Sequence, residues 1–280
     1  MRAALITTVA TFASHPAGLF AGVAVPAAKP FASQDADNTE GMLNVDERKL
    51  IQEGLVWGGF YKGWIDGQFG KDTRDAIASA QRQYKQPGTG ILNADLAVRL
   101  GDLAATSRTN SGWVTIIEPT SGVRLAYPSM LLTRTTRPES NLVTLVDIES
   151  EDNSVSIEIL RADNVKPDAI DGMYNELTSD GQSTVTHSFR KGSLFIIEGY
   201  RGTSKYYRRC EQSGGKILGF DLVWSGSRDA EMQPISVLIS NSFEPFPFDT
   251  PRENRDPDYS HLVGLAQAAK NESGGSPPRK

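Results

Sequence analysis

Residues 63–77, with the sequence GWIDGQFGKDTRDAI, determine the fold of the first half of the chain. The pairs Asp66-Gly67 and Phe69-Gly70 indicate a turned backbone in which glycine adopts positive φ, and Phe69 is expected to anchor the loop in the core. Asp72 is expected to cap the following helix. The stretch therefore predicts a glycine-rich loop that leads into a helix. Its structural positions are Gly63, Gly67, Phe69, Gly70, Thr73 and Gln81.

Three helices are expected around this loop, between residues 43 and 103. The first spans residues 46–55 and has Asp46 as its cap. The second begins at Asp72, carries one apolar face and stops before Pro87-Gly88. The third is short and runs from a cap at Asn93 to Gly101. A unit of about 60 residues is just long enough for a small core of its own.

From Trp113 onward the apolar period changes from 3.6 to 2, which is typical of strands. Residues 105–112 are rich in Ser, Thr and Asn and lack a period, so we place a domain boundary there. The predicted class is α+β, with a small three-helix N-terminal domain at 43–104 and an antiparallel β-sheet domain with packed helices at 113–245. Helices are expected at 167–177 and from Asp229, and strands at 113–117, 122–127, 142–148, 155–160, 185–190, 194–200, 205–211 and 217–224.

The two ends of the chain lack the pattern of a folded domain. Residues 1–24 carry Arg2 and then small apolar residues, and they end in Gly22-Val23-Ala24, a pattern that a signal peptidase cleaves. This predicts a signal peptide and export to the periplasm, with a disordered Ala-rich extension as the alternative. Residues 25–42 are expected to be a linker, and residues 246–280 a disordered tail with at most one marginal helical turn. No later stretch approaches the roughly 18–20 apolar residues of a membrane span.

The composition excludes several classes of partner and cofactor. With 29 Lys and Arg against 34 Asp and Glu, the net charge of −5 argues against a broad surface for nucleic acid or an anionic membrane, and leaves a local basic patch as the alternative. The one cysteine, Cys210, excludes an intramolecular disulfide and any multi-cysteine metal site. The histidines His15, His187 and His261 lie far apart in the sequence. We therefore expect no metal and no cofactor.

Residues 63–77, followed by Gln81, resemble the peptidoglycan-binding domain of the three-helix type. The hallmark of that family is Gly-x-Ile-Asp-Gly-x-Phe-Gly-x-x-Thr-x-x-Ala-Ile, followed by Phe-Gln. The sequence departs from it at Ala80, where the family usually has Phe, and residues 90–93 only loosely match the family's Gly-x-Leu-Asp. The resemblance covers residues 43–103 and implies a cell-wall recognition module, which in this family is often attached to a lytic or cross-linking enzyme.

A wall-binding role suggests a candidate ligand-binding set in and after the loop. Tyr61 and Trp64 could offer flat apolar surface to a sugar or peptide, and Lys62 or Arg74 could pair with the carboxylates of a stem peptide. Asp66 completes the set. The alternative for Trp64 is that it covers the small core, and the sequence leaves both interpretations open.

The residues beyond the boundary do not form a recognisable catalytic set. Cys210 lies on a predicted strand and outside the Ser-x-Gly-Cys context of a wall transpeptidase, so we interpret it as structural, although Arg208 and Arg209 could lower its pKa. His187 alone cannot build a zinc peptidase site. The many carboxylates lie in predicted turns or at a helix start, where capping explains them. Whether the protein is an enzyme stays open, and a noncatalytic protein is favoured.

The order of strands, helix, strands and helix at 113–245 resembles the PsbP-like sandwich, with matching segments at 122–128, 206–209 and 242–243. This resemblance implies a noncatalytic binding or scaffold domain. The leading hypothesis is a noncatalytic periplasmic protein that binds peptidoglycan and brings its second domain to the cell wall. That domain either contacts another envelope protein or presents an unknown site. The alternative is a hydrolase of cell-wall remodelling whose catalytic residues are not recognised.

Overall fold

Four helices precede the first strand in the computed structural model, which describes residues 39–137, 144–179, 181–247 and 259–274. They are α1 (Thr39–Met42), α2 (Val45–Trp57), α3 (Lys71–Gln83) and α4 (Ala94–Ser111). The predicted signal peptide and the linker up to residue 38 lie outside the described residues. The end of the predicted linker is helical instead, because Thr39 is buried and the adjacent Leu43 packs in the core of the other helices.

The helix caps differ in part from the prediction. Asn44 rather than Asp46 caps α2, through a capping box with Glu47. Gly70 rather than Asp72 lies at the start of α3, and it makes no side-chain cap hydrogen bond. Asn93 caps α4 as predicted, since its side chain accepts a hydrogen bond from the backbone N–H of Leu96 at 2.9 Å. The polar residues therefore predicted the position of each N-cap to within two residues.

Helix α4 continues through residues 105–111, where the aperiodic sequence predicted a boundary. Tertiary contacts hold this last part in place. Arg108 makes two hydrogen bonds to the buried Glu53 carboxylate of α2, at 2.7 and 2.9 Å, and the helix ends at Gly112 in the left-handed conformation. The short third helix was therefore wrong in length. The division of the chain into two domains stays a prediction.

The second half of the described chain is dominated by an antiparallel sheet of seven strands in the order β3-β4-β5-β9-β8-β7-β6. Two further strands form a separate hairpin, β1 (Trp113–Ile117) with β2 (Arg124–Pro128). The α+β class is confirmed. Strand β3 was not predicted, because only its first residue, Leu132, is buried and the rest of LTRTT is exposed. The remaining elements are β3 (Leu132–Thr136), β4 (Thr144–Ser150), β5 (Val155–Asp163), α5 (Ala169–Ser179), β6 (Thr184–Lys191), β7 (Leu194–Arg201), β8 (Ser204–Ser213), β9 (Lys216–Ser225) and α6 (Asp229–Ser242).

Helices cover both faces of the sheet around β7, β8 and β9. Helix α6 packs on one face, where Phe220 and Phe243 lie in the larger core. Helix α5 packs on the other face over Phe195 and Cys210. Because both faces are buried there, alternate residues of β8 point into two different cores. This explains why the amphipathic sequence of β8 did not reveal which face is inside.

The core of the first helices also takes residues from the far end of the chain. Val237 and Leu238 of α6 lie in the same cluster as Ile51 and Leu55 of α2. Leu262 joins this cluster from α7 (Ser260–Gly274), in the region that we predicted to be a disordered tail. That prediction was wrong for residues 260–274, and residues 248–258 and 275–280 lie outside the described residues. No described helix is long and apolar enough to cross a membrane.

Glu118 closes the turn between β1 and β2 and is 4% exposed. Its carboxylate accepts hydrogen bonds from the backbone N–H and the hydroxyl of both Thr120 and Ser121. Burial opposes its ionisation, but these hydrogen bonds outweigh burial and lower the pKa of Glu118 to about 2. The ionised carboxylate therefore stabilises the folded hairpin.

Replacing Glu118 by glutamine tests this contribution. Because the pKa of Glu118 falls from an ordinary 4.5 to about 2 on folding, its stabilisation is complete above pH 4.5 and is lost as the pH falls toward 2. We expect Glu118→Gln to lower the free energy of unfolding by about 1–3 kcal/mol at pH 7, and the difference from wild type to shrink below about pH 4. Urea denaturation at several pH values measures both effects, with Glu176→Gln on the exposed side of α5 as a control. A difference that is the same at pH 7 and pH 2.5 would contradict this assignment.

Candidate functional site

The loop between α2 and α3, residues 58–70, is held in place by the buried side chain of Gln52. Its amide oxygen accepts a hydrogen bond from the Gly67 N–H at 2.8 Å, and its amide nitrogen donates to the Gln68 carbonyl at 3.0 Å. The same nitrogen lies 3.2 Å from the Asp66 carboxylate and 3.3 Å from the Thr73 hydroxyl. One glutamine thus fixes the turn of the motif. Gln52 was not predicted as a structural residue, although a glutamine beside Ile51 in an apolar helix was a signal.

Gln81 does the same for the loop between α3 and α4, residues 84–93. It is buried, donates to the Ile91 carbonyl at 2.8 Å and accepts from the Gly90 N–H at 3.0 Å. Gly90 has φ +73°, a conformation that favours glycine. Gln81, which was predicted to be a structural residue, therefore holds this loop through its side-chain amide. The two longer loops between these helices are therefore each ordered by a buried amide.

The glycines of the motif have different roles. Gly67 has φ +77°, as predicted, and its position next to Val45 leaves little room for a side chain. Gly70 has φ −74°, so the prediction of positive φ was wrong there. Gly63 lies against the ring of Tyr61, where a Cβ would approach the hydroxyl oxygen to 2.6 Å. Phe69 is partly buried against the helical core, and Thr73 is buried, as their structural roles require.

Tyr61 supports the loop from beneath, and its ring is not available as binding surface. It is 8% exposed, and its hydroxyl donates a hydrogen bond to the Trp64 carbonyl at 2.9 Å. Burial raises the pKa of this phenol. Its place in the candidate ligand-binding set stays a prediction, for which the ring offers little exposed surface. Its ring lies in the core of the first helices, and its hydroxyl holds the loop.

Trp64 is 41% exposed and stacks on a side chain of the sheet. The guanidinium carbon of Arg209 lies 4.9 Å from its ring centroid and 5.4 Å from that of Phe243. Arg209 is itself buried and donates to the Ser240 carbonyl and to the Glu211 carboxylate. The indole therefore neither fills the helical core nor stands free. Arg209 supports the ring, and part of Trp64 stays exposed to solvent.

Asn241 of α6 binds the backbone on both sides of Trp64. Its amide oxygen accepts from the Ile65 N–H at 2.7 Å, and its amide nitrogen donates to the Gly63 carbonyl at 3.3 Å. The contacts of Asn241 and Arg209 with this loop were not predicted from the sequence. Arg209 and Asn241 lie 145 and 177 positions after Trp64 in the sequence, and no local pattern connects them to the loop.

The polar residues of the predicted ligand-binding set differ in the contacts they make. Lys62 is exposed. Asp66 is exposed but accepts a hydrogen bond from the Gln68 N–H at 2.8 Å, so it also shapes the turn. Arg74 donates to both carboxylate oxygens of Glu40, at 3.0 and 2.9 Å, and to the Gly90 carbonyl at 3.1 Å. Arg74 is therefore already paired with a carboxylate of this chain, that of Glu40.

Cys210 has the environment of a structural cysteine. It is fully buried under α5, and burial raises the pKa of its thiol to about 12. Such a thiol is protonated at neutral pH and does not act as a nucleophile. Among the described residues there is no group of three or more His, Cys, Asp or Glu that could hold a metal ion. A cleft of about 480 Å³ lies elsewhere, between the start of α5 and the turns of the sheet, lined by Ile170, Arg190 and Gln212 among others.

Comparison with protein families finds a match within the helical region. Residues 44–100 match the family model of the peptidoglycan binding domain. The resemblance stated from residues 63–77 and Gln81 is confirmed, and it indicates a cell-wall binding role for this part of the chain. The search of curated proteins found no match.

Similar solved structures are distant. One is the solution structure of cyanobacterial PsbP (CyanoP) from Synechocystis sp. PCC 6803, with 13% identity and a TM-score of 0.39, covering 48% of this chain and 92% of that chain. Another is a crystal structure from Bacteroides thetaiotaomicron VPI-5482, with 10% identity and a TM-score of 0.34, covering 59% of this chain and 71% of that chain. The PsbP-like likeness of residues 113–245 therefore remains a resemblance.

Proposed function

We propose that this protein binds peptidoglycan through the loop between α2 and α3 and the first turn of α3. The observation that carries the proposal is the match of residues 44–100 to the peptidoglycan binding domain. The contact residues in this proposal are Lys62, Trp64, Asp66 and Arg74. The exposed part of the indole offers an apolar surface to a sugar ring or peptide, while the two cations suit the carboxylates of a stem peptide.

The loop is suited to binding because its shape is set before a ligand arrives. Gln52 fixes its turn, Asn241 holds the backbone beside Trp64, and Arg209 supports the indole from below. A preformed site loses less conformational entropy when it binds. The contacts from α6 and β8 also support a composite site, to which the sheet region contributes.

The proposal also concerns where the protein acts and what it does there. Export by residues 1–24 would bring the protein to the periplasm, where peptidoglycan is available. The protein would act there without catalysis, and the sheet region would contact another envelope protein. The inert thiol of Cys210 supports the noncatalytic role, since a wall transpeptidase of the cysteine type needs a thiolate.

Cosedimentation of the purified full chain with isolated sacculi tests binding and catalysis together. We expect retention on sacculi, no retention on chitin, and an unchanged muropeptide chromatogram after prolonged incubation. Failure to sediment with sacculi would contradict the binding function. A new and reproducible muropeptide would contradict the noncatalytic role and favour the alternative of a wall-remodelling hydrolase.

A further inference from the structure

The Glu40 carboxylate occupies a site made by residues of the matched region 44–100. Arg74 donates to both of its oxygens, at 3.0 and 2.9 Å, and the backbone N–H of Leu92 donates to one of them at 2.8 Å. The site is built from the first turn of α3 and the loop before α4. Glu40 itself comes from α1, which precedes the matched residues.

This set of donors is the kind that proteins use to bind a free carboxylate. A guanidinium that faces both oxygens, together with a backbone N–H, gives short, charge-assisted hydrogen bonds in a fixed geometry. The Gly90 carbonyl accepts from Arg74 at 3.1 Å and so orients the guanidinium. Because Gln81 fixes Gly90 and Ile91, the donors are held in place by the helical region and not by Glu40 alone.

The contacts that hold the backbone of α1 are separate from those of the Glu40 carboxylate. The backbone of α1 is held separately, by the bond from Arg48 to the Glu40 carbonyl at 3.0 Å and by the burial of Thr39 and Leu43. The Arg74 side chain is 43% exposed, so the site opens to solvent. Burial opposes ionisation of Glu40, but the bonds from Arg74 and Leu92 outweigh it and lower its pKa, so Glu40 is charged at neutral pH.

We propose that Arg74 and the Leu92 N–H form the subsite for a carboxylate of the peptidoglycan stem peptide, and that Glu40 blocks this subsite from within the chain. A stem-peptide carboxylate must then displace Glu40. Since only the open form binds, the internal carboxylate weakens the apparent affinity in proportion to the occupied fraction. This inference rests on the proposed function, because its ligand is a part of peptidoglycan.

The test measures the affinity of the full chain for a soluble disaccharide-tetrapeptide muropeptide and for the same compound with its carboxyl groups amidated. Glu40→Gln keeps the shape of the side chain and removes its charge. We expect this variant to bind the muropeptide about fivefold or more tightly than wild type at low salt, and the amidated compound with no such gain. In the Arg74→Ala background, Glu40→Gln should bring no gain for either compound. Asp75→Asn, a matched change at an exposed carboxylate of α3, should leave the affinity unchanged.

The outcomes separate this inference from the function it rests on. If wild type and Glu40→Gln bind the muropeptide equally, Glu40 does not block the site, and the inference is overturned while wall binding stands. An equal gain for the amidated compound would also overturn it, since the gain would not come from a carboxylate. If no variant binds muropeptide or sacculi, the proposed function itself fails. Circular dichroism melting of each variant confirms that every comparison is made on folded protein.

Discussion

Replacing Gly54 by alanine is expected to destabilise the helical region by about 3 kcal/mol or more, which would be a large part of the stability of a typical domain. A Cβ at this position would lie 2.2 Å from the Leu100 carbonyl oxygen, and 2.7 and 2.9 Å from its carbonyl carbon and Cα. All three atoms belong to the backbone of α4 and cannot move aside like the end of a side chain. Helices α2 and α4 would have to separate, and the core between them, which contains Ile51, Leu55 and Leu96, would open.

Gly172 provides the matched control for this variant. It lies within α5, and a Cβ there would have no atom within 4 Å. Gly172→Ala should therefore leave stability unchanged or raise it by up to about 1 kcal/mol, because alanine favours helix. Urea denaturation followed by circular dichroism compares the two variants with wild type. A Gly54→Ala variant within about 0.5 kcal/mol of wild type would contradict the close helix contact.

The second large effect is expected from Gln52→Leu. Leucine has a similar size but leaves the Gly67 N–H and the Gln68 carbonyl without their buried partner. Each buried polar group left without a hydrogen bond costs about 1–3 kcal/mol, so we expect a loss of roughly 2–4 kcal/mol in the free energy of unfolding. Because the loop also loses its fixed shape, binding to sacculi should fall by more than the stability alone explains.

Hydrogen exchange at the Gly67 amide separates local loosening of the loop from global destabilisation. We expect this amide to exchange much faster in Gln52→Leu than in wild type under conditions where the helices stay folded. Gln83→Leu, at an exposed position of α3, is the matched control and should leave both exchange and stability nearly unchanged. Unaltered protection of Gly67 in the Gln52 variant would show that another group holds the loop.

Local patterns in the sequence predicted much of the fold. The alternation of apolar residues located eight of the nine strands of the described chain, and it failed for β3, whose outer residues are exposed. Composition misled at two places where tertiary contacts stabilise a polar helix. Residues 105–111 are helical because Arg108 reaches Glu53, and α7 is held by Leu262 in the helical core. Neither contact leaves a periodic signal.

The candidate site was predictable only to the extent that its residues lie close together in the sequence. The motif located the loop, and it contained Trp64 and Arg74. Which of its residues face solvent depends on packing, so Tyr61 was assigned to the ligand-binding set although it is buried. The partners Arg209 and Asn241 come from β8 and α6, and the spacing of residues within the motif carries no information about them.

The most direct test of peptidoglycan binding by this loop compares sacculus cosedimentation of wild type with the double variant Trp64→Ala, Arg74→Ala. We expect the folded double variant to lose at least about tenfold in affinity, because it removes both the exposed ring surface and the carboxylate contact. A control with Met130→Ala and Arg82→Ala removes one exposed apolar side chain and one exposed cation away from the proposed contact set and should bind as wild type does. Unchanged retention of a folded Trp64→Ala, Arg74→Ala variant would contradict the proposed site.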